Sequence, residues 1–345
     1  MLAAVLLPFL CCLSSAAAGK LLVIPMEGSH WLSMKAVLAE LSRRGHEIIV
    51  IAPESRMLID SSAMYMLKMY PVPFKKEELQ ELMHSFALDT FSEKPFLFRF
   101  LNTWENFRKS SAIFKATCES LLYNKEVMKY IEESKFDAIL TDPLTPCGQI
   151  IALHFSIPTV FFLRGVPCAI DVHAAQSPDP PSYVPRVFSL YTDHMTFPQR
   201  VKNLLIKSFL CNFAYLPFEH LASDFLHRPI TMKELLSHGS IWLKRMDFVF
   251  EYPMPVMPNI VFIGGINCGQ RKPLSQDLSI FGDPCAATSR GPQLSLPQII
   301  YVLLSQLIFR NNQFLSVNRS IVAEFRHNFR HKVPLPPPPP KKAFQ

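Results

Sequence analysis

The sequence lacks the patterns by which metal, redox and dinucleotide sites are usually recognised. Its eight cysteine residues form no C-x-x-C pair, and no cysteine or histidine spacing fits a zinc site. The first strand-to-helix turn contains Gly28 alone, without the G-x-G-x-x-G pattern that holds a pyrophosphate. We therefore predict no metal and no bound cofactor in this part of the protein.

A basic surface for nucleic acid is also missing. The formal net charge is +7, but residues 277–345 alone carry eight Lys or Arg against three Asp or Glu, a net +5. Residues 1–276 thus carry only +2, with no basic stripe interleaved with aromatic residues. Nucleic acid is not a predicted partner.

Charge is absent from the first 18 residues, which are apolar and end in an Ala-x-Ala pattern. This composition predicts a secretory signal peptide that is cleaved before Gly19. Later in the chain, the apolar segment 296–309 has only 14 residues, whereas a membrane-spanning helix needs about 20. We predict no clear transmembrane helix and leave open a membrane contact by that segment.

Cleavage would leave six widely spaced cysteine residues, whose pairing the spacing does not determine. An oxidising lumen permits disulfides, and buried free thiols are an equal alternative in a domain of this size. The six are Cys118, Cys147, Cys168, Cys211, Cys268 and Cys285.

Strand and helix patterns alternate over most of the remaining chain. The predicted strands are "KLLVIPM", "EIIVIAP", "MYMLKMYPVP", "FDAILTDP", "PTVFFLR" and "NIVFIGGI". Apolar residues at helical spacing follow the first strand up to Gly45, and a long helix is predicted over residues 195–226. Continuous apolar strands separated by helices predict an α/β domain with a doubly wound parallel sheet, which we assign to residues 19–276. Residues 277–345, which end in a polyproline segment, are predicted to form an atypical, partly disordered tail.

Two polar residues stand where apolar strands end and helices begin. His30 follows the first strand, and Asp142 follows "FDAILT". Carboxyl ends of strands line the ligand crevice in such sheets. A neutral imidazole there can take a proton from a hydroxyl group, and a carboxylate can fix its tautomer. The alternative is that both residues merely cap helices.

The stretches around these residues carry a family resemblance. They are "GSHWLSM", "RRGHEIIVIAPE", "YPVPF", "LTDPLTPC", "PTVFFL", "SYVPR", "DHMTFPQRVKN" and "MPNIVFIGGINC". Together they resemble the N-terminal half of the UDP-glucuronosyltransferases of vertebrate drug-metabolising type. The resemblance implies a Rossmann-like acceptor-binding domain, the first half of a two-Rossmann-domain glycosyltransferase of the endoplasmic reticulum lumen. It also implies metal-free, inverting transfer of glucuronic acid from UDP-glucuronate, with His30 as general base and Asp142 as its partner.

The resemblance stops near Gln276. It implies a second, donor-binding half, but no donor signature occurs after Gln276, and the tail resembles the product of alternative splicing. We therefore expect a chain that binds lipophilic small-molecule acceptors and is inactive by itself. Two other functions stay open: a regulatory hetero-oligomer with full-length family members, and a solitary lipophile-binding protein. Association of the lumenal chain with the membrane also stays open.

Overall fold

The computed structural model of the protein describes residues 18–90, 96–166, 169–186, 189, 191–246 and 251–266. The predicted signal peptide (except Ala18) and the predicted tail lie outside these residues, as does segment 296–309. Within the described part, no helix is both long enough and apolar enough to cross a membrane.

The strands of the described part form one parallel sheet. They are β1 (Lys20–Ile24), β2 (Glu47–Pro53), β3 (Met66–Tyr70), β4 (Ala138–Thr141), β5 (Thr159–Leu163), β6 (Ile241–Lys244) and β7 (Ile260–Phe262). Their order across the sheet is β3-β2-β1-β4-β5-β6-β7. The predicted doubly wound parallel sheet is confirmed, because the chain extends the sheet first to one side of β1 and then to the other.

Helices cover both faces of this sheet. They are α1 (Ser29–Arg43), α2 (Lys76–Thr90), α3 (Phe96–Leu122), α4 (Lys125–Ser134), α5 (Cys147–Phe155), α6 (Ile170–Ala174), α7 (Phe197–Leu226) and α8 (Met232–Ser237). The predicted long helix over 195–226 corresponds to α7. Its start is fixed by a capping box between Thr196 and Gln199.

Alternate residues of β1 face two separate hydrophobic cores. Leu22 and Ile24 pack on one side of the sheet, and Leu21 and Val23 pack on the other. Two buried faces require apolar side chains at every position, which explains the continuous apolar runs of the sequence. On the second side the apolar face of α1 covers the sheet; it consists of Trp31, Met34, Val37, Leu38 and Leu41.

A disulfide joins Cys118 of α3 to Cys147, the first residue of α5. The sequence left this pairing open, because the two residues are 29 positions apart and only the packing of α3 against α5 brings their Cα atoms to 5.3 Å. The side chains of the other six cysteine residues lie outside the described part of the structure.

Candidate active site

The order in which the chain adds strands to the sheet reverses between β1 and β4, which makes this the switch point of the sheet. From β1 the chain continues to β2 and β3 on one side, and from β4 it continues to β5, β6 and β7 on the other. Ligands of doubly wound sheets bind beyond the carboxyl ends of the strands at this switch point, because the loops diverge there and leave a crevice. His30 and Asp142 follow the two strands that flank the switch point.

His30 is the second residue of α1 and lies in its first turn, where the sequence predicted the change from strand to helix. Gly28 precedes the helix with φ 75°, a left-handed conformation that glycine adopts without a steric penalty. The chain can therefore turn from β1 directly into α1. Gly28 is also the N-cap residue, so the helix-capping alternative for His30 is wrong.

Asp142 is held more rigidly than His30. Its side chain is 1% exposed, and its Oδ1 atom accepts a hydrogen bond of 2.9 Å from the backbone N–H of Leu144. The preceding residue, Thr141, donates its hydroxyl to the carbonyl of Ile24 at 2.8 Å and so ties the end of β4 to the end of β1. Pro146, not Asp142, is the N-cap of α5, so the capping alternative is wrong for Asp142 as well.

The two side chains are in direct contact. Nδ1 of His30 lies 2.6 Å from Oδ2 of Asp142. A carboxylate has no proton to give, so Nδ1–H is the donor and Nε2 carries the lone pair of the neutral ring. No described residue forms a hydrogen bond to Nε2. The imidazole is 22% exposed, so this nitrogen can accept a proton from an incoming molecule.

Arg245 is a third polar residue at this edge, and sequence reasoning missed it. It follows β6, and its Nη1 atom donates to the carbonyl oxygen of Ser29 at 3.2 Å and to Oγ of Ser33 at 2.7 Å. Burial lowers the pKa of Arg245, while the negative charge of Asp142 opposes this effect. The signal was present, since Arg245 directly follows the strand "IWLK" and is therefore a polar residue at the end of a strand, as His30 is.

Two further ionic contacts support the segments next to this edge. Lys244 and Asp171 form a buried ion pair with 2.7 Å between Nζ and Oδ2, which joins the end of β6 to α6. In the segment after α6, Asp179 pairs with the guanidinium of Arg186, and its Oδ2 atom lies 2.9 Å from Nε2 of His173. Within the described ranges, no three His, Cys, Asp or Glu side chains are grouped to hold a metal ion.

The sequence matches one protein family over most of its length. The family profile described as "UDP-glucoronosyl and UDP-glucosyl transferase" matches residues 19–289. The chain belongs to this family. Among curated relatives, human UDP-glucuronosyltransferase 1A1 is 49% identical over 267 residues, which are 76% of this chain and 50% of that protein. Human UDP-glucuronosyltransferase 1A6 is 45% identical over the same shares of the two chains.

The chain thus spans about half the length of the curated relatives it matches. A UDP-glucosyltransferase from Polygonum tinctorium, in complex with 3,4-dichloroaniline, is 14% identical with a TM-score of 0.40, over 78% of this chain and 58% of that one.

Proposed function

We propose that the chain is the acceptor-binding half of a glucuronosyltransferase, in which His30 abstracts the proton of a lipophilic acceptor. The donor is UDP-glucuronate, bound chiefly by a second domain. The observation that carries this proposal is the 2.6 Å contact between His30 and Asp142 at the switch point of the sheet. Family membership supports the reaction class, because the curated relatives are named as glucuronosyltransferases.

The proposed reaction begins with an acceptor hydroxyl close to Nε2 of His30. The hydroxyl proton moves to Nε2 as the oxygen forms a bond to the anomeric carbon of the glucuronate. The bond between this carbon and the diphosphate oxygen breaks, and UDP leaves with the bonding electrons. The carboxylate of Asp142 stabilises the resulting imidazolium and keeps Nε2 as the basic nitrogen before the reaction.

The surroundings of the first turn of α1 favour an apolar acceptor. Leu32, two residues after His30, is 57% exposed. Leu58 is 41% exposed, and its N–H donates to the carboxylate of Glu27, in the turn before α1, at 3.1 Å. Exposed apolar side chains at the sheet edge that carries the polar reactive groups are typical of small-molecule sites. We therefore take lipophilic molecules with a hydroxyl group as the substrate class.

We further propose that the chain resides in the lumen of the endoplasmic reticulum. The signal-like first 18 residues support this location. The Cys118–Cys147 disulfide supports it too, because disulfides persist in oxidising compartments. Protease treatment of intact microsomes tests it: a lumenal chain survives until detergent opens the vesicles, whereas digestion without detergent would contradict the proposal.

The activity is tested in a fusion in which the unmatched half of human UDP-glucuronosyltransferase 1A1 follows Gln276. We expect transfer from UDP-glucuronate to phenols, and loss of transfer in His30→Ala. His194→Ala is the matched control, because the His194 side chain is 95% exposed. The unfused 345-residue chain is expected to show no transfer. Full activity of the His30→Ala fusion would overturn the proposed base.

A further inference from the structure

We propose that Arg245 is a positioning residue that fixes the first turn of α1 and thereby directs His30 toward the acceptor. This inference rests on the proposed function of His30. It concerns a residue that does not touch the reacting atoms and that belongs to the opposite half of the sheet from α1.

The contacts of Arg245 lie immediately beside His30. The carbonyl of Ser29 belongs to the peptide unit that links Ser29 to His30, and it accepts a hydrogen bond from Nη1 of Arg245. Oγ of Ser33 accepts from the same nitrogen and donates to the same carbonyl at 3.0 Å. The three groups form a closed triangle, so the orientation of this peptide unit is fixed by a residue more than 200 positions away.

The guanidinium itself is held in place by its surroundings. Its Cζ atom lies 5.8 Å from the centre of the Phe162 ring of β5, a cation–π distance. Lys244, the preceding residue, is anchored by its buried ion pair with Asp171. The end of β6 therefore presents Arg245 to α1 in one position, and the hydrogen bonds cost little ordering of the long side chain.

His30 is consequently held from two sides. Asp142, after β4, fixes the imidazole ring, and Arg245, after β6, fixes the backbone that carries the ring. Both contacts connect a residue that follows a later strand, on the far side of the switch point, to the first turn of α1. A catalytic group misplaced by about 1 Å can lose roughly 10²-fold in rate. The constraint on the backbone therefore bears on turnover, and its loss leaves acceptor binding largely intact.

The test uses the active fusion described above, with kcat and acceptor KM measured separately. Arg245→Met keeps much of the side-chain length and its packing but removes the donor. We expect it to lower kcat about 10- to 100-fold with acceptor KM within about threefold. Arg245→Lys is expected to recover most of kcat, because both contacts use one nitrogen that an ammonium group can replace. Arg164→Met is the control: this exposed arginine follows β5 at the same edge and pairs with Glu251.

A double-mutant cycle separates positioning from general structural support. The residual rate of transfer by His30→Ala is measured by mass spectrometry. If Arg245 acts through His30, adding Arg245→Met to His30→Ala does not lower this residual rate further. Equal losses of rate in both backgrounds would overturn the inference, as would an unchanged kcat in Arg245→Met. If His30→Ala itself kept full activity, the proposed function would fail and this inference with it. If His30→Ala is inactive but Arg245→Met keeps its kcat, the inference about Arg245 is refuted and the proposed function is not.

Discussion

Two histidine–aspartate pairs with a buried carboxylate occur in the described structure, and they differ in contacts and in position. In the first, Nδ1 of His30 contacts Asp142 at 2.6 Å, and the carboxylate is otherwise bonded to backbone. In the second, Nε2 of His173 contacts Asp179 at 2.9 Å, and this carboxylate also pairs with Arg186. The second pair joins α6 to the proline-rich segment that follows it.

The difference shows what makes such a pair reactive. The ring nitrogen that the carboxylate leaves unused is Nε2 in His30, at the open end of the sheet. In the described structure Asp142 forms no salt bridge with an arginine, although its negative charge also acts on Arg245. The charge of Asp179 is shared with a buried guanidinium. Position at the switch point, and a carboxylate without a direct guanidinium contact in the described structure, therefore distinguish the catalytic candidate from the structural pair.

The largest expected effect distinguishes the two histidines directly. In the fusion enzyme, His30→Ala should reduce kcat by roughly 10²- to 10⁴-fold, the usual contribution of a general base. His173→Ala should leave kcat within about twofold and lower the melting temperature instead. Steady-state kinetics and thermal denaturation of both variants measure this. A large loss of kcat in His173→Ala, at full folding, would erase the distinction.

The aspartate of the structural pair should govern stability. Asp179→Asn leaves the buried charge of Arg186 without its partner, and breaking such a pair costs about 3–5 kcal/mol of unfolding free energy. Urea unfolding of the full chain measures the loss. Asp193→Asn is the control, since Asp193 is 38% exposed and lies 3.9 Å from His194, and it should cost less than about 0.5 kcal/mol. Equal effects of the two substitutions would contradict a structural role for Asp179.

The aspartate of the reactive pair should govern rate. Asp142→Asn keeps the size of the side chain but removes the charge and permits the opposite tautomer of His30. We expect kcat to fall by roughly 10²-fold or more. Acceptor KM should change little, because the acceptor contacts are unaltered. Unaltered kcat in Asp142→Asn would mean that the carboxylate does not orient the base.

A third histidine, whose ring nitrogen contacts a backbone N–H instead of a carboxylate, provides the smallest effect. Nδ1 of His46 accepts a hydrogen bond from the N–H of Gly19 at 3.0 Å, and burial lowers the pKa of His46. A lowered pKa in the folded state means that stability is full above the ordinary value of 6.5 and is lost as the pH falls through the folded value. His46→Gln should reduce the loss of unfolding free energy at acid pH, which urea unfolding at several pH values measures. If the loss of unfolding free energy at acid pH were the same in His46→Gln, the pH dependence would have to come from other groups.

The sequence alone predicted those strands and helices that a single hydrophobic pattern defines. Continuous apolar runs predicted β1, β2, β4 and β5, because a strand covered on both faces needs apolar residues at every position. Gly45 has φ 90° beyond the end of α1, as predicted for a glycine at that position. The strand β6 was missed because its four residues, "IWLK", end in a lysine that only the buried partner Asp171 explains.

The arrangement of the site depended on information that no local pattern contains. Strand-end positions indicated His30 and Asp142, but their contact depends on β4 lying next to β1, a choice of strand order. The same limit applies to Cys118 and Cys147, which meet only through helix packing. Arg245 follows β6, which β4 and β5 separate from β1, so its contact with α1 is visible only in three dimensions.

The strand order also determines when, during synthesis, β1 can pair with its second neighbour. β1 is paired on one side by β2, but its other neighbour, β4, begins only at Ala138. At translation rates of roughly 5–20 residues per second, β1 waits on the order of ten seconds for that partner. Throughout this interval the nascent chain displays an unpaired, apolar strand edge, the kind of surface that chaperones retain and that otherwise aggregates. The proposed base is therefore among the first residues made, and its catalytic partner arrives only when this exposed edge is finally closed.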